Sequence, residues 1–150
     1  MSADVFKVFD VFQEELGAGT HDGLKAGTDV IKGALIDSGW TPNTATDTTF
    51  STIDANENSD TGYTAGGATI TATWDAATGT LTFDGSDLSW TAGAGGITTR
   101  YLLVYNSSAG GTNDIICYSL LDNTPADVTA AEGVDLKVNM NASGLFTIAQ

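Results

Sequence analysis

From Gly62 to Trp74 a glycine-rich turn, Gly62-Tyr63-Thr64-Ala65-Gly66-Gly67, runs into a stretch of apolar and hydroxyl residues in strict alternation. Ala68, Ile70 and Ala72 fall on one side, and Thr69, Thr71 and Thr73 on the other. Successive strand residues point to opposite faces, so this segment reads as a sheet strand with one face buried. The pattern returns at Thr80-Leu81-Thr82-Phe83 and at Asp87-Leu88-Ser89-Trp90-Thr91. A threonine-rich, glycine-punctuated β chain with few reactive side chains is expected to fold and to bind. No enzymatic activity is expected of it.

The 150 residues are read as a single domain, 1–150. Hydrophobic residues make up 41% of the chain, enough for a core, and charged residues only 16%. Against 19 acidic residues there are five basic ones, for a net charge of −14. Binding nucleic acid requires lysines and arginines to neutralise phosphates, and here they are few and scattered. No nucleic-acid partner is therefore expected, nor an anionic membrane surface. Acidity of this kind serves solubility and suppresses aggregation. Cys117 is the lone cysteine, so no disulfide framework exists; within Ile115-Ile116-Cys117-Tyr118 it is expected to act as a small buried hydrophobe. Met1-Ser2-Ala3-Asp4 lacks the basic and apolar regions of a signal peptide, and no apolar run reaches membrane-spanning length. Synthesis and assembly in a reducing cytoplasm are expected.

Val5, Phe9, Phe12 and Leu16 recur at helical spacing, which predicts an amphipathic helix over 3–16, capped by Ser2 and stopped by Gly17. Its aromatic face packs on the chain's own core or on a partner subunit. A glycine-punctuated connection, 17–28, follows. Asp29–Asp37 reads as a buried strand, with a short helix as the alternative, and Thr49–Ile53 as a short strand. Further strands are predicted at Ala68–Trp74, Gly79–Asp84, Leu88–Thr91, Thr98–Tyr105, Asp114–Leu121, Val134–Met140 and Leu145–Ala149. Thr98–Tyr105 is the most apolar and central of them. Pro125 and Gly133 bracket a loop. Short strands at regular spacing define a mainly β chain: an antiparallel sandwich or barrel, jelly-roll or immunoglobulin-like, with one N-terminal helix.

Candidate chemistry is sparse. His21, the sole histidine, sits in a turn and has no Gly-x-Ser-x-Gly serine to serve. One histidine and one cysteine cannot build a zinc site. Asp54-Ala55-Asn56-Glu57-Asn58-Ser59-Asp60 begins like an EF-hand loop, but the required glycine is Ser59 and the closing glutamate is Ala65. It stands either as a looser calcium site or as a solvated acidic loop. Asp84 and Asp87 flank a turn, and Glu14 and Glu15 lie on a helix face; neither pair marks glycoside hydrolysis. Gly93–Gly96 and Gly110-Gly111 lack the features of phosphate loops. Trp40, Trp74 and Trp90 are core or interface anchors, or else line a carbohydrate-binding face. No catalytic, cofactor-binding or metal-ligating residue is assigned.

Across nearly its whole length the chain resembles a family of small structural proteins, head-decoration or tail components, of tailed bacteriophages. The resemblance is carried by Val5-Phe6-Lys7-Val8-Phe9 through His21, Trp40-Thr41-Pro42, Thr46–Ile53 and Gly62–Gly67. It continues through Trp74, Phe83-Asp84, Asp87, Trp90-Thr91, Arg100–Asn106 and Gly144-Leu145-Phe146-Thr147. The longer 17–28 connection and Cys117 depart from the pattern. The resemblance implies a virion structural role and brings no active site. The expectation is a capsid decoration (cement) protein on the head exterior, assembled in the host cytoplasm and bridging major capsid subunits. A homotrimer at three-fold positions is expected, and a tail or fibre component contacting a host glycan is the alternative. Phe6, Phe9, Phe12, Leu16, Trp40 and Phe50 are the expected interface anchors, since aromatics concentrate at contact hot spots.

Overall fold

A computed structural model describes residues 3–18, 29–108 and 114–149. The fold is organised around Tyr101–Asn106 (β8), all six of whose residues are buried. Tyr-Leu-Leu-Val-Tyr is a run of β-formers with no polar face, and such a strand is stable only when both sides of its sheet are covered. Ile31–Ile36 (β2) and Asp114–Leu120 (β9) flank it antiparallel, and both are almost wholly buried. Lys7-Val8 (β1) pairs with β9, and Ala68-Thr69 (β3) pairs with β2, giving the order β1-β9-β8-β2-β3. A bulge opposite Val104/Tyr105 inserts one extra residue into β9. Ile116 and Cys117 consequently both join the core on the same side of the sheet, and Ile115 and Tyr118 join the core on the other.

One face is closed by a second layer of short antiparallel strands. Ala72–Ala77 (β4), Thr80–Gly85 (β5) and Phe146–Ala149 (β12) form a sheet in the order β12-β5-β4. Leu88–Thr91 (β6) pairs with Asp135–Val138 (β11), and Ile97–Thr99 (β7) with Val128–Ala130 (β10). Phe83, Leu88, Trp90, Ile97 and Leu136 from this layer meet Ile31, Leu35, Leu102, Val104 and Ile116 in one continuous core. Gly33 belongs to this contact: a Cβ there would lie 2.4 Å from the Leu88 side chain. Gly67, with φ of +69°, lets the chain pass so close to Gly33 that a Cβ would lie 2.0 Å from its carbonyl oxygen.

The opposite face is covered by the segment 37–58, which carries two 3-10 turns, Phe50–Thr52 and Asp54–Asn56. Trp40, Phe50 and Ile53 from this segment pack with Phe9 on Ala34, Ile36, Tyr101, Leu103, Tyr105 and Tyr118. The molecule is thus mainly β, sandwich-like, with an additional cover on the outer face of its larger sheet.

Several elements differ from the sequence reading. The helix, α1, spans Asp10–Ala18 rather than 3–16, and Gly17 lies inside its last turn. The helical spacing upstream is overridden by strand pairing: Lys7-Val8 adds to β9 and the Phe9 amide donates to the Ile116 carbonyl. Thr49–Ile53 is a 3-10 turn preceded by a single bridge to Asp114, not a strand. Ala68–Trp74 and Thr98–Tyr105 are each split where the chain leaves one sheet for another, at Ile70-Thr71 and at Arg100. The loop bracketed by Pro125 and Gly133 contains β10. Of the predicted Asp29–Asp37, Ile31–Ile36 is a strand, not a helix, and burial alternates through Ala68–Trp74 as expected. Ser2, His21, nearly all of the 17–28 connection and Gly110-Gly111 lie outside the described residues.

Candidate functional site

The six expected anchors do not form one exposed surface. Phe9, Phe12, Trp40 and Phe50 are buried in the chain's own core, and Phe6 and Leu16 are half-buried at its rim. Trp40 packs edge-on against Tyr101 (centroids 5.3 Å apart) and Tyr118 (5.5 Å), and Phe9 lies 5.5 Å from Tyr118. Phe50 stacks flat on Tyr105 at 4.3 Å. The Trp40 indole N–H donates to Asp47 at 3.2 Å, which satisfies its polar edge. These rings fasten the 37–58 cover to the large sheet. Their composition announced contact surface, and the surface they contact is internal.

The 54–60 loop is likewise committed within the chain. Asn58 is 3% exposed, and its side-chain amide donates to Asp37 (2.9 Å), Asp60 (3.1 Å) and the Thr98 carbonyl (2.9 Å). Its side-chain oxygen accepts from the Asp60 amide, and Asp60 in turn accepts from the Thr98 amide. Burial raises the pKa of Asp37, the Asn58 hydrogen bond opposes the shift, and the nearby Asp60 charge adds to it. Glu57 accepts from the Tyr63 hydroxyl at 2.5 Å and from the Gly66 amide at 2.6 Å. Tyr63 also accepts from the Leu35 amide, and Tyr105 donates to the Gly66 carbonyl. Burial first, then the adjacent Glu57 carboxylate, raises the pKa of both phenols, that of Tyr105 to about 12. The oxygens that resembled a calcium loop thus pin the glycine turn and the sheet-switching corner at Arg100. Among the described residues, no three histidine, cysteine or acidic side chains are grouped to hold a metal.

The other candidates resolve in the same way. Asp84 accepts from the Gly85 amide and Asp87 from the Met140 amide, each at 2.7 Å, so both carboxylates are engaged by backbone, the first locally at the end of β5 and the second across to the chain after β11. Cys117 is fully buried and burial pushes its thiol pKa well up, which removes its nucleophilic form at neutral pH. Trp40 and Trp90 are buried, and half-buried Trp74 packs against Phe83 at 4.8 Å and Phe146 at 5.9 Å. The three tryptophans do not share an exposed face.

Concave surface lies on either side of the N-terminal segment. A groove of about 410 Å³ is lined by Val5, Phe6, Leu121, Val138 and Asn141 among others. A second, of about 580 Å³, lies between α1 and β12 and is lined by Val8, Phe12, Leu16, Phe146 and Ile148. Phe6 and Leu16 border these grooves, one each. Phe146 and Ile148 were not singled out from sequence, although their period-two spacing in the final strand is the signal that could have found them. Compared with known protein families, curated proteins and solved structures, the chain finds no match in any of the three.

Proposed function

We propose that the protein is a non-catalytic structural component of a tailed-bacteriophage virion. In this reading it is a decoration protein that lies on the capsid exterior, bridges neighbouring major capsid subunits and self-associates. The observation that carries the reading is the division of labour between inside and outside. Aromatic and aliphatic bulk is turned inward around a sheet covered on both faces. The outside is acidic and hydroxyl-rich, with Thr69, Thr71, Thr73, Thr98 and Thr129 exposed on a chain of net charge −14. A doubly covered sheet resists local opening, and a strongly acidic surface keeps assembled particles dispersed. The carboxylates nearest to a site-like grouping, Glu57 and Asp60, hold loops in place, which favours a binding body over a reactive one. The likeness to head and tail proteins noted in the sequence supports the same class.

The tail or fibre alternative rested on a tryptophan-bearing glycan face. With Trp40 and Trp90 in the core, no structural observation favours it over the head. Labelled protein incubated separately with purified heads and purified tails distinguishes the two by co-sedimentation. Saturable binding to heads, at a fixed ratio to the major capsid protein, is expected. Binding to tails alone, or to neither, contradicts the proposal.

A further inference from the structure

The 37–58 cover leaves β2 and returns to it at one place. The Asp37 amide donates to the Asn56 carbonyl and the Asn58 amide to the Leu35 carbonyl, each at 2.9 Å, on either side of a bridge between Ile36 and Glu57. Side chains reinforce this neck. Asn58 donates to Asp37, and Glu57 accepts from Tyr63 and from the Gly66 amide. The Asn56 side chain lies so close over Gly39 that a Cβ there would come within 2.7 Å of it. Beyond the neck, the body of the cover is bonded largely to itself. The amides of Thr46, Asp47, Thr52 and Ile53 donate to carbonyls within the body, and the Trp40 indole and the Asn43 amide donate to Asp47. Among the described residues, two backbone hydrogen bonds tie the body to the rest of the fold: the Asp10 amide to the Thr44 carbonyl at 3.0 Å, and the Ile115 amide to the Thr48 carbonyl at 3.3 Å. Its apolar anchors, Trp40, Phe50 and Ile53, all belong to the core on the outer face of the large sheet, and none to the core between the two sheets.

We propose that the body of the cover is a lid that swings away from the sheet as one unit, hinged at its neck, while the sandwich stays folded. Proteins open locally in contiguous cooperative units. A segment whose ends already meet, as in an Ω-loop, and whose hydrogen bonds are internal loses only its border contacts on opening. Here the border is the Phe50 ring stacked on Tyr105, the Trp40 ring set against Tyr101 and Tyr118, buried Ile53, and the two backbone bonds. These rings make opening rare. They do not make it global, because Leu35, Leu102, Val104 and Ile116 stay packed with Phe83, Leu88 and Ile97 on the other side of the sheet. The strands beneath the lid therefore stay paired. The open form presents Tyr101, Leu103, Tyr105, Ile115 and Tyr118 on one sheet face, a broad aromatic surface that the closed form hides. The device belongs to the protein alone and does not depend on the virion reading.

Native-state hydrogen exchange on the full chain, followed across low denaturant concentrations, tests the proposal residue by residue. The Asp10 and Ile115 amides are expected to exchange through one shared opening, with the same free energy and the same denaturant slope, both smaller than those of the β8 amides. The neck amides of Asp37 and Asn58 are expected to stay protected along with β8. Phe50→Ala removes a border ring and is expected to speed exchange at Asp10 and Ile115 at least about tenfold. Phe50→Leu, the variant to use if Phe50→Ala does not fold, is expected to act in the same direction by a smaller factor. Tyr63→Phe weakens the neck, which opening leaves shut. It is expected to speed exchange of the β8 amides and leave Asp10 and Ile115 unchanged. Asp10 and Ile115 amides that exchange only together with β8, or with slopes unlike each other, overturn the proposal. So do neck amides that exchange with the lid, or a Tyr63→Phe variant that speeds both sets alike.

Discussion

Asn58 shows how much one side chain can hold. It donates to two carboxylates and a carbonyl at once, so its amide hydrogens neutralise what would otherwise be two acids facing each other in a partly desolvated corner. Asn58→Asp preserves the shape and reverses that chemistry. We expect a loss of about 3 kcal/mol at neutral pH, from the lost donors and the added like charge, measured by denaturant unfolding. The loss shrinks in acid for a definite reason. Asp37 already has a folded pKa above its unfolded value, so its contribution is complete below the unfolded pKa and is lost as pH rises through the raised one. A third carboxyl in the cluster follows the same sign, and an unchanged deficit at low pH contradicts this account. Tyr63 provides the alkaline counterpart. Tyr63→Phe removes the acceptor for the Leu35 amide and the donor to Glu57, for an expected loss of about 2 kcal/mol. Both phenols are held neutral in the fold, so the stability they contribute is full below the ordinary tyrosine value of 10 and falls as pH rises above it. The variant is expected to show a shallower alkaline decline than the wild type.

At the scale of elements, the β4–β5 hairpin carries an identifiable strain. Its two-residue turn is Thr78-Gly79, both at positive φ (48° and 81°), as right-handed strand twist demands. Glycine adopts that conformation freely, whereas a β-branched residue does so at a cost. Thr78→Asn is expected to raise stability by about 0.5–1 kcal/mol, read as a higher melting temperature. A lower melting temperature contradicts the turn assignment. Phe9 links two elements by closing the junction of β1 and α1 onto Trp40 and Tyr118. Phe9→Ala is expected to cost about 4 kcal/mol as a core cavity. Strands with a clean signature, β5, β6, β8 and β9, were legible from period two or a bounded run of β-formers, whereas the apolar run of β2 also admits a short helix. The sheet-switching corners at Ile70-Thr71 and Arg100 were not, since inside–outside alternation survives the bend. Phe50 and Ile53 stand three apart, which is 3-10 spacing, and the surrounding polar residues disguised it. The helix starts later than the periodicity predicts because Val5 and Phe9 fall at helical spacing by coincidence, while Lys7-Val8 pairs with β9 and the Asp4 and Phe9 amides donate to Leu120 and Ile116. The anchors were legible as aromatics, but no sequence pattern shows on which side of the protein surface an aromatic ring ends up.

The whole molecule combines a sheet covered on both faces with a strongly acidic composition. Those are the properties on which the proposed structural role rests. Its aromatic rings pack largely within the fold, while threonine-bearing strand faces stay exposed. Under the proposed function, this acidic β body is mounted on the outside of a phage head. A cryo-electron microscopy reconstruction of the virion whose genome carries this coding sequence tests it most directly. Density matching the doubly covered sandwich is expected on the outer capsid surface, seated across the junctions between major capsid subunits. Density for this chain only in the tail, or a complete particle without it, contradicts the account.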